Sequence, residues 1–222
     1  MDSVDNLVYS KKLRKPKGEV SLFTKSAEYI KITPPPINSS LGSARDMITV
    51  NSAIKLCGEG MKKSIKKHDK DPAFALKMYM SLFGLDHDVA YINKVMSDAT
   101  ILIREQKNLF NRPRPSQLAP YFGMDLEVLN SRTSTSPSYP GGHSTQSRLI
   151  AEIYADKYPE HRQNLIKAAD ECGGGRIMAG LHYPSDHRAG VYFAKRLFRS
   201  MKNQVIKKYD QTFDLTTNKG EK

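Results

Sequence analysis

After residue 42 the chain carries apolar side chains at three- and four-residue spacing almost to its end, the period of helices with one buried face. Residues 43–67 keep that rhythm with Met47, Ile48, Ala53, Ile54, Cys57, Met61 and Ile65, although Gly58 and Gly60 weaken the middle. Asp71 as N-cap, Pro72 at the first helical position and Gly84 as a stop predict a helix over 71–83. Its apolar residues face all ways, so it is expected to be central and buried. Over 88–109, Val89, Ile92, Val95, Met96, Ala99, Leu102 and Ile103 form one stripe, which Asn111, Pro113 and Pro115 bring to an end. Helix signals resume at 143–157, 161–181 and 186–208, the last with Phe193, Ala194, Leu197, Phe198, Met201 and Val205 on one face. Internal repeats are absent and alternating strand patterns are few. The expected fold class is all-α, a single-domain helical bundle with its site at helix ends and loops.

Outside this body the pattern fades. Residues 1–42 read as an extended N-terminal arm with a basic patch at 11–17 and the stiff Pro34-Pro35-Pro36. Residues 43–208 form the helical domain, and 209–222 a polar, frayed tail. The stretch 116–142 is the longest irregular one, rich in Ser, Thr, Pro and Gly, a composition typical of functional loops.

Charge narrows the chemistry. The 222 residues include 35 Lys and Arg against 23 Asp and Glu, a formal charge of +12. A pI near 9.6 and a mean hydropathy of −0.54 describe a solvated, cationic surface that attracts anions. No apolar run reaches the length of a bilayer span. The acidic opening Met1-Asp2-Ser3-Val4-Asp5 lacks the apolar core of an export signal, so a cytoplasmic location is expected. In that reducing setting Cys57 and Cys172 are expected to be buried thiols rather than a disulfide.

Three ordered segments carry the candidate chemistry. Lys107 precedes Arg114-Pro115 at a helix-to-loop break, where two cations can turn toward one point, Arg as a planar fork and Lys as a point charge. Taken singly they read as dipole partners or surface, and Arg112 competes for the inward role. Next, Pro140-Gly141-Gly142-His143 places bare backbone N–H groups before a helix N-terminus, a good seat for a dianion. A plain helix-entry turn is the bland alternative. Finally, Gly173-Gly174-Gly175-Arg176 sits where glycine opposes helix formation, so close approach of a ligand or a neighbouring helix is the natural reason for it. His182 follows, with Asp186 four residues on; Pro184 breaks the helix and Asp186 can cap the next one. A carboxylate on one imidazole nitrogen leaves the other as a nucleophile. A surface His near an Asp N-cap is the bland reading there.

The ordered set resembles the type-2 phosphatidic acid phosphatase superfamily, which includes soluble bacterial class A nonspecific acid phosphatases and vanadium haloperoxidases. The family pattern Lys-x6-Arg-Pro, Pro-Ser-Gly-His and Ser-Arg-x5-His-x3-Asp stands here with every interval kept, at Lys107 to Pro115, Pro140 to His143 and Gly175 to Asp186. Gly141 and Gly175 replace two serines of the pattern. The resemblance implies a metal-independent hydrolase of phosphate monoesters, with diphosphates or lipid phosphates as further substrates. It implies His182 as nucleophile, Asp186 as its orienting carboxylate and His143 as general acid. Lys107, Arg114, Arg176, Gly141 and Gly142 would hold the phosphate. No cofactor is expected, and vanadate enters only under the haloperoxidase alternative. The implied partner is a small phosphorylated substrate; homodimers are an expectation of the resemblance alone.

From a different class, a basic phosphate- or nucleic-acid-binding protein without catalysis would use the patch at 11–17 and Lys62-Lys63 with Lys66-Lys67. No interleaved aromatic residues accompany those runs, so no stable nucleic-acid complex is expected. A metal site from His143, His182, Asp186 and His187 lacks the further ligands that such a centre needs.

Overall fold

The computed structural model describes residues 3–13, 16–18, 20–23 and 30–217, with side chains described through Lys202. Helices account for the body: α1 Leu41–Lys55, α2 Glu59–Lys70, α3 Phe74–Leu82, α4 Val89–Phe110, the short α5 Pro115–Leu118, α6 Gly142–Lys157, α7 Arg162–Met178 and α8 Pro184–Thr217. No strand occurs among the described residues. The fold is all-α, as the periodicity predicts.

The helix expected over 43–67 is two. It stops at the Leu56 C-cap, and Gly58 is the N-cap of α2. Two nearby glycines, each costing about 0.8–1.0 kcal/mol against Ala in a helix interior, account for the break. Asp71 caps a turn rather than α3: its carboxylate accepts the Ala73 N–H at 2.9 Å, and the helix proper begins at Phe74.

The 71–83 segment is not the central helix. Leu76 and Met80 are buried, but Met78, Leu82 and Phe83 are exposed, so only one side of α3 is covered. The centre belongs to α6, which packs along both α7 and α8 and crosses α4. Leu149, Ile150 and Ala151 are fully buried there. Its polar residues are partnered inside the bundle, Arg148 with Glu152 at 2.9 Å and Ser147 with the Ala169 carbonyl at 3.1 Å. A helix with small or internally paired polar groups can be surrounded without leaving orphaned donors.

Two of the three glycines of α7 serve helix packing. A Cβ at Gly173 would lie 2.1 Å from His187 Nδ1 on α8 and 2.9 Å from Ser144 Oγ on α6. One at Gly175 would meet Ile65 of α2 at 3.1 Å, whereas Gly174 faces open space. α8 opens at Pro184 itself, a proline suited to the first helical position, rather than after Asp186. Phe193, Ala194, Leu197 and Met201 are buried and Phe198 is partly so; Val205 lies outside the residues whose side chains are described.

The arm docks onto the bundle. Tyr9 N–H donates to the Asn111 carbonyl at 2.9 Å, and Asn38 donates to the carbonyls of Val4 and Leu7, each at 2.9 Å. Arg14 and Lys15 of the basic patch lie outside the described residues. Both cysteines are free and buried.

Candidate active site

Helix ends bring the three sequence segments together. α4 ends at Asn111, which takes a left-handed conformation (φ 45°) and turns the chain inward before Pro113 and Pro115 stiffen it. Lys107, in the last turn of α4, is buried, and its ammonium donates to the carbonyls of Pro137 and Ser138. An ammonium has three donors, so one remains. Burial first, then the nearby Arg114, pushes the Lys107 amine well below its ordinary range.

Arg112 and Arg114 stand two residues apart and have different duties. Arg112 Nη1 donates to Asp186 Oδ1 and Ser185 Oγ, each at 2.7 Å, and Nη2 to Asp46 Oδ2 at 3.2 Å. Its guanidinium lies 3.9 Å from the centre of the Tyr183 ring. It is therefore matched by two carboxylates behind the site. Arg114 has no carboxylate at ion-pair distance among the described residues. Its Nε donates to the Ser136 carbonyl at 2.9 Å, and Nη1 to the Leu181 carbonyl at 2.8 Å while lying 3.2 Å from His182 Nε2. Burial and the neighbouring Arg176 lower its pKa to about 10.

His182 sits in the link between α7 and α8, with its ring almost fully buried. Nδ1 lies 3.1 Å from Asp186 Oδ2. A carboxylate can only accept and a guanidinium can only donate, so the proton is on Nδ1 and the Nε2 lone pair faces Arg114. Burial, then Arg114, holds the imidazole well below its ordinary pKa, hence neutral. Asp186 is fully buried; burial opposes its charge, but Arg112 and His182 hold the carboxyl well below the usual range. The Tyr183 N–H at 3.0 Å adds a further donor.

His143 lies in the first turn of α6. Its Nε2 lies 3.3 Å from the backbone carbonyl of Asp69 and 4.0 Å from that residue's Oδ1. Burial, then Arg176, pushes it down to about 3. Arg176 pairs with the Asp69 carboxylate through Nη1, and its Nη2 donates to Thr133 Oγ1 at 2.9 Å. The Nε–H of Arg176 is buried with no protein acceptor.

The two glycines before His143 part ways. The sequence reading assigns both N–H groups to phosphate, but Gly141 donates to the Asp186 carbonyl at 2.9 Å. Gly142, the first residue of α6, keeps a helix-start N–H that lacks an intrahelical acceptor. A Cβ at Gly141 would stand 3.0 Å from the Asp186 carbonyl oxygen, so the serine of the family pattern would be crowded here. Phe110 and Tyr139 pack edge to face and Phe122 joins a second apolar cluster, whereas Tyr121 is exposed.

Two residues of the site carry no signal in the motifs: Asp69, near the C-terminus of α2, and Asp46 of α1. Both precede Lys107 by long intervals and sit among ordinary charged residues. Beside Arg114 opens a cleft of about 300 Å³, lined by Tyr9, Gln117, Asn130, Ser131 and Ser134 among others.

Comparison with known proteins places the chain in a family. The family model for the PAP2 superfamily matches residues 89–209. An acid phosphatase of Zymomonas mobilis subsp. mobilis is 28% identical over 73% of this chain and 64% of its own length. A lipid A 1-phosphatase of Rhizobium johnstonii is 33% identical over 54% of this chain and 46% of its own. The chain thus spans about half to two thirds of these relatives. Among solved structures, a bacterial vanadium-dependent iodoperoxidase matches with TM-score 0.58 and 17% identity, over 81% of this chain and 54% of that one. A transmembrane PAP2-type phosphatidylglycerolphosphate phosphatase from Bacillus subtilis matches with TM-score 0.51 and 18% identity, over 81% and 89%. Among the described residues, this chain has no helix long and apolar enough to cross a membrane. With the family model spanning every motif that lines the buried cation cluster, the chain belongs to the PAP2 superfamily.

Proposed function

We propose that this chain hydrolyses phosphate monoesters by phosphoryl transfer through His182, without a metal. The reading rests above all on His182: neutral, with its proton held toward Asp186 and its Nε2 lone pair facing Arg114, which has no carboxylate at ion-pair distance among the described residues. A phosphoryl group between the two histidines would have its equatorial oxygens held by Lys107, Arg114, the Nε–H of Arg176 and the Gly142 N–H. Such transfer depends mostly on positioning and charge stabilisation, which this inventory supplies.

His182 Nε2 attacks phosphorus as the bond to the alcohol oxygen breaks, and protonated His143 gives that oxygen its proton. Neutral His143 then takes a proton from water, whose oxygen attacks the phosphohistidine. The P–N bond breaks, and inorganic phosphate leaves with both rings restored. In the free site burial, then Arg176, keeps His143 unprotonated near neutral pH. A bound dianion favours its imidazolium. Turnover therefore declines as pH rises through the pKa of His143 in the complex. The hydroxyl- and amide-lined cleft beside Arg114 favours a polar leaving group. The lipid A 1-phosphatase among the relatives brings lipid phosphates into the test.

The decisive experiment measures release of phosphate from p-nitrophenyl phosphate, sugar phosphates, a diphosphate and a lipid phosphate across pH 4–8, with and without chelator. Radiolabelled substrate should leave an acid-labile label on His182, and His182→Ala should abolish turnover and label together. Full turnover by His182→Ala would overturn the mechanism. Halide oxidation by peroxide after vanadate loading, without ester hydrolysis, would replace the reading with the haloperoxidase one.

A further inference from the structure

Among the described residues, Asp69 is the carboxylate that pairs with Arg176. It sits one residue before the end of α2. Its carboxylate accepts from Arg176 Nη1, from Ser131 Oγ at 2.6 Å and from Thr133 Oγ1 at 2.8 Å. Its backbone carbonyl lies 3.3 Å from His143 Nε2. Because that carbonyl can only accept, a neutral His143 carries its proton on Nε2 and points it at Asp69. One residue thus holds both the rearmost cation and the imidazole expected to protonate the leaving group. The other two acids of the neighbourhood, Asp46 and Asp186, are both engaged by Arg112.

We propose that Asp69 is a positioning residue of this site: its carboxylate seats Arg176, its carbonyl seats His143, and its charge is the internal anion that incoming phosphate must oppose. This deepens the hydrolase reading and rests on it for the catalytic half. The physical logic is one of opposing effects. A fixed negative charge beside Arg176 weakens the pull on a phosphate dianion. The same charge favours the imidazolium of His143, which Arg176 of α7 and Lys107 of α4 oppose. The site gives up product affinity and gains a proton donor. Asp69 itself stays ionised: burial opposes its charge, but the hydroxyls of Ser131 and Thr133 and the guanidinium of Arg176 hold it below the usual carboxylate range.

Asp69→Asn keeps the shape, the backbone carbonyl and contacts to both hydroxyls while removing the charge. Inorganic phosphate should bind this variant at least about fivefold more tightly by calorimetry, the scale of one interaction between partly buried charges. The alkaline limb of kcat should move to lower pH by about half a unit or more, because His143 loses its stabilising anion. Asp69→Glu, which restores the charge, should return both values toward wild type. A residue that merely supports the fold would alter neither in these paired directions. Ser131→Ala/Thr133→Ala keeps the Asp69 charge and removes two donors that compensate it, so phosphate affinity should not rise as it does in Asp69→Asn.

Unchanged or weaker phosphate binding by Asp69→Asn, or an unmoved pH limb in an active enzyme, would overturn the proposal. Phosphate calorimetry needs no turnover. An inactive wild type whose Asp69→Asn variant still binds phosphate more tightly would therefore refute the hydrolase reading and leave the seating role of Asp69 standing.

Discussion

The two histidines of the site are built differently. His182 is locked: a fully buried carboxylate four residues along holds Nδ1, and Arg112, itself paired with Asp46, holds that carboxylate from behind. His143 is lightly held, by one long hydrogen bond to a backbone carbonyl from a helix far away in sequence. A nucleophile that must present the same lone pair at every turnover benefits from such locking. A group that must hand a proton over and take one back benefits from a bond that is easily exchanged. The same asymmetry runs through the arginines: among the described residues Arg112 is paired to two carboxylates and Arg114 to none.

The largest effect expected from breaking this comparison is in turnover. His182→Ala should lower kcat/KM by at least about 10³-fold with an unchanged far-ultraviolet spectrum, whereas His143→Ala should lose less on substrates with good leaving groups. Rates for p-nitrophenyl phosphate against an alkyl phosphate give the ratio, and equal losses on both would dissolve the distinction.

The arginines separate stability from binding. Arg112→Met should cost about 3–5 kcal/mol in urea unfolding, because it strands the buried carboxylates of Asp46 and Asp186. Arg114→Met removes a buried cation with no carboxylate, so stability should hold or rise while phosphate affinity falls by about 10-fold or more. Matching stability losses in the two variants would contradict the assigned duties.

Acid sharpens the histidine comparison. His143 has a folded pKa of about 3 and His182 one well below ordinary, so the unfolded chain binds their protons first. Their contribution to stability is complete above the unfolded value, near 6.5. It is lost as pH falls below that value, by up to about 1.4 kcal/mol per pH unit for each ring. Urea titrations at pH 7 and 5 should show the decline, and saturating phosphate should reduce it by stabilising a charged His143. The smallest expected effect lies in α7. Gly173→Ala should destabilise by about 1–3 kcal/mol through its clash with His187, while Gly174→Ala should stabilise by about 0.5–1 kcal/mol.

Much of this site could be read before any coordinates. The intervals from Lys107 to Arg114 and from Arg176 to Asp186 are set by helix ends, and those ends are written locally in Asn111, the prolines and the glycines. The centre of the bundle was less legible. α6 looks too polar to be buried until Arg148 is seen beside Glu152 and Ser147 beside the Ala169 carbonyl. α3 looks apolar on all sides, yet neighbours cover only one of them. The run Gly173-Gly174-Gly175 announced close packing but not its partners, which come from α2, α6 and α8.

By itself the sequence determined the helical class, the ends of most helices and the spacing of the cations and imidazoles, because each depends on neighbours within a turn or two. Tertiary structure alone decided that Arg112 pairs with Asp46 and Asp186, why the Gly141 N–H serves the Asp186 carbonyl, and that Asp46 and Asp69 lie beside the cation cluster. Those outcomes arise where distant helices meet. There a buried charge must find its counter-charge, and nothing local to either residue says which one it will be.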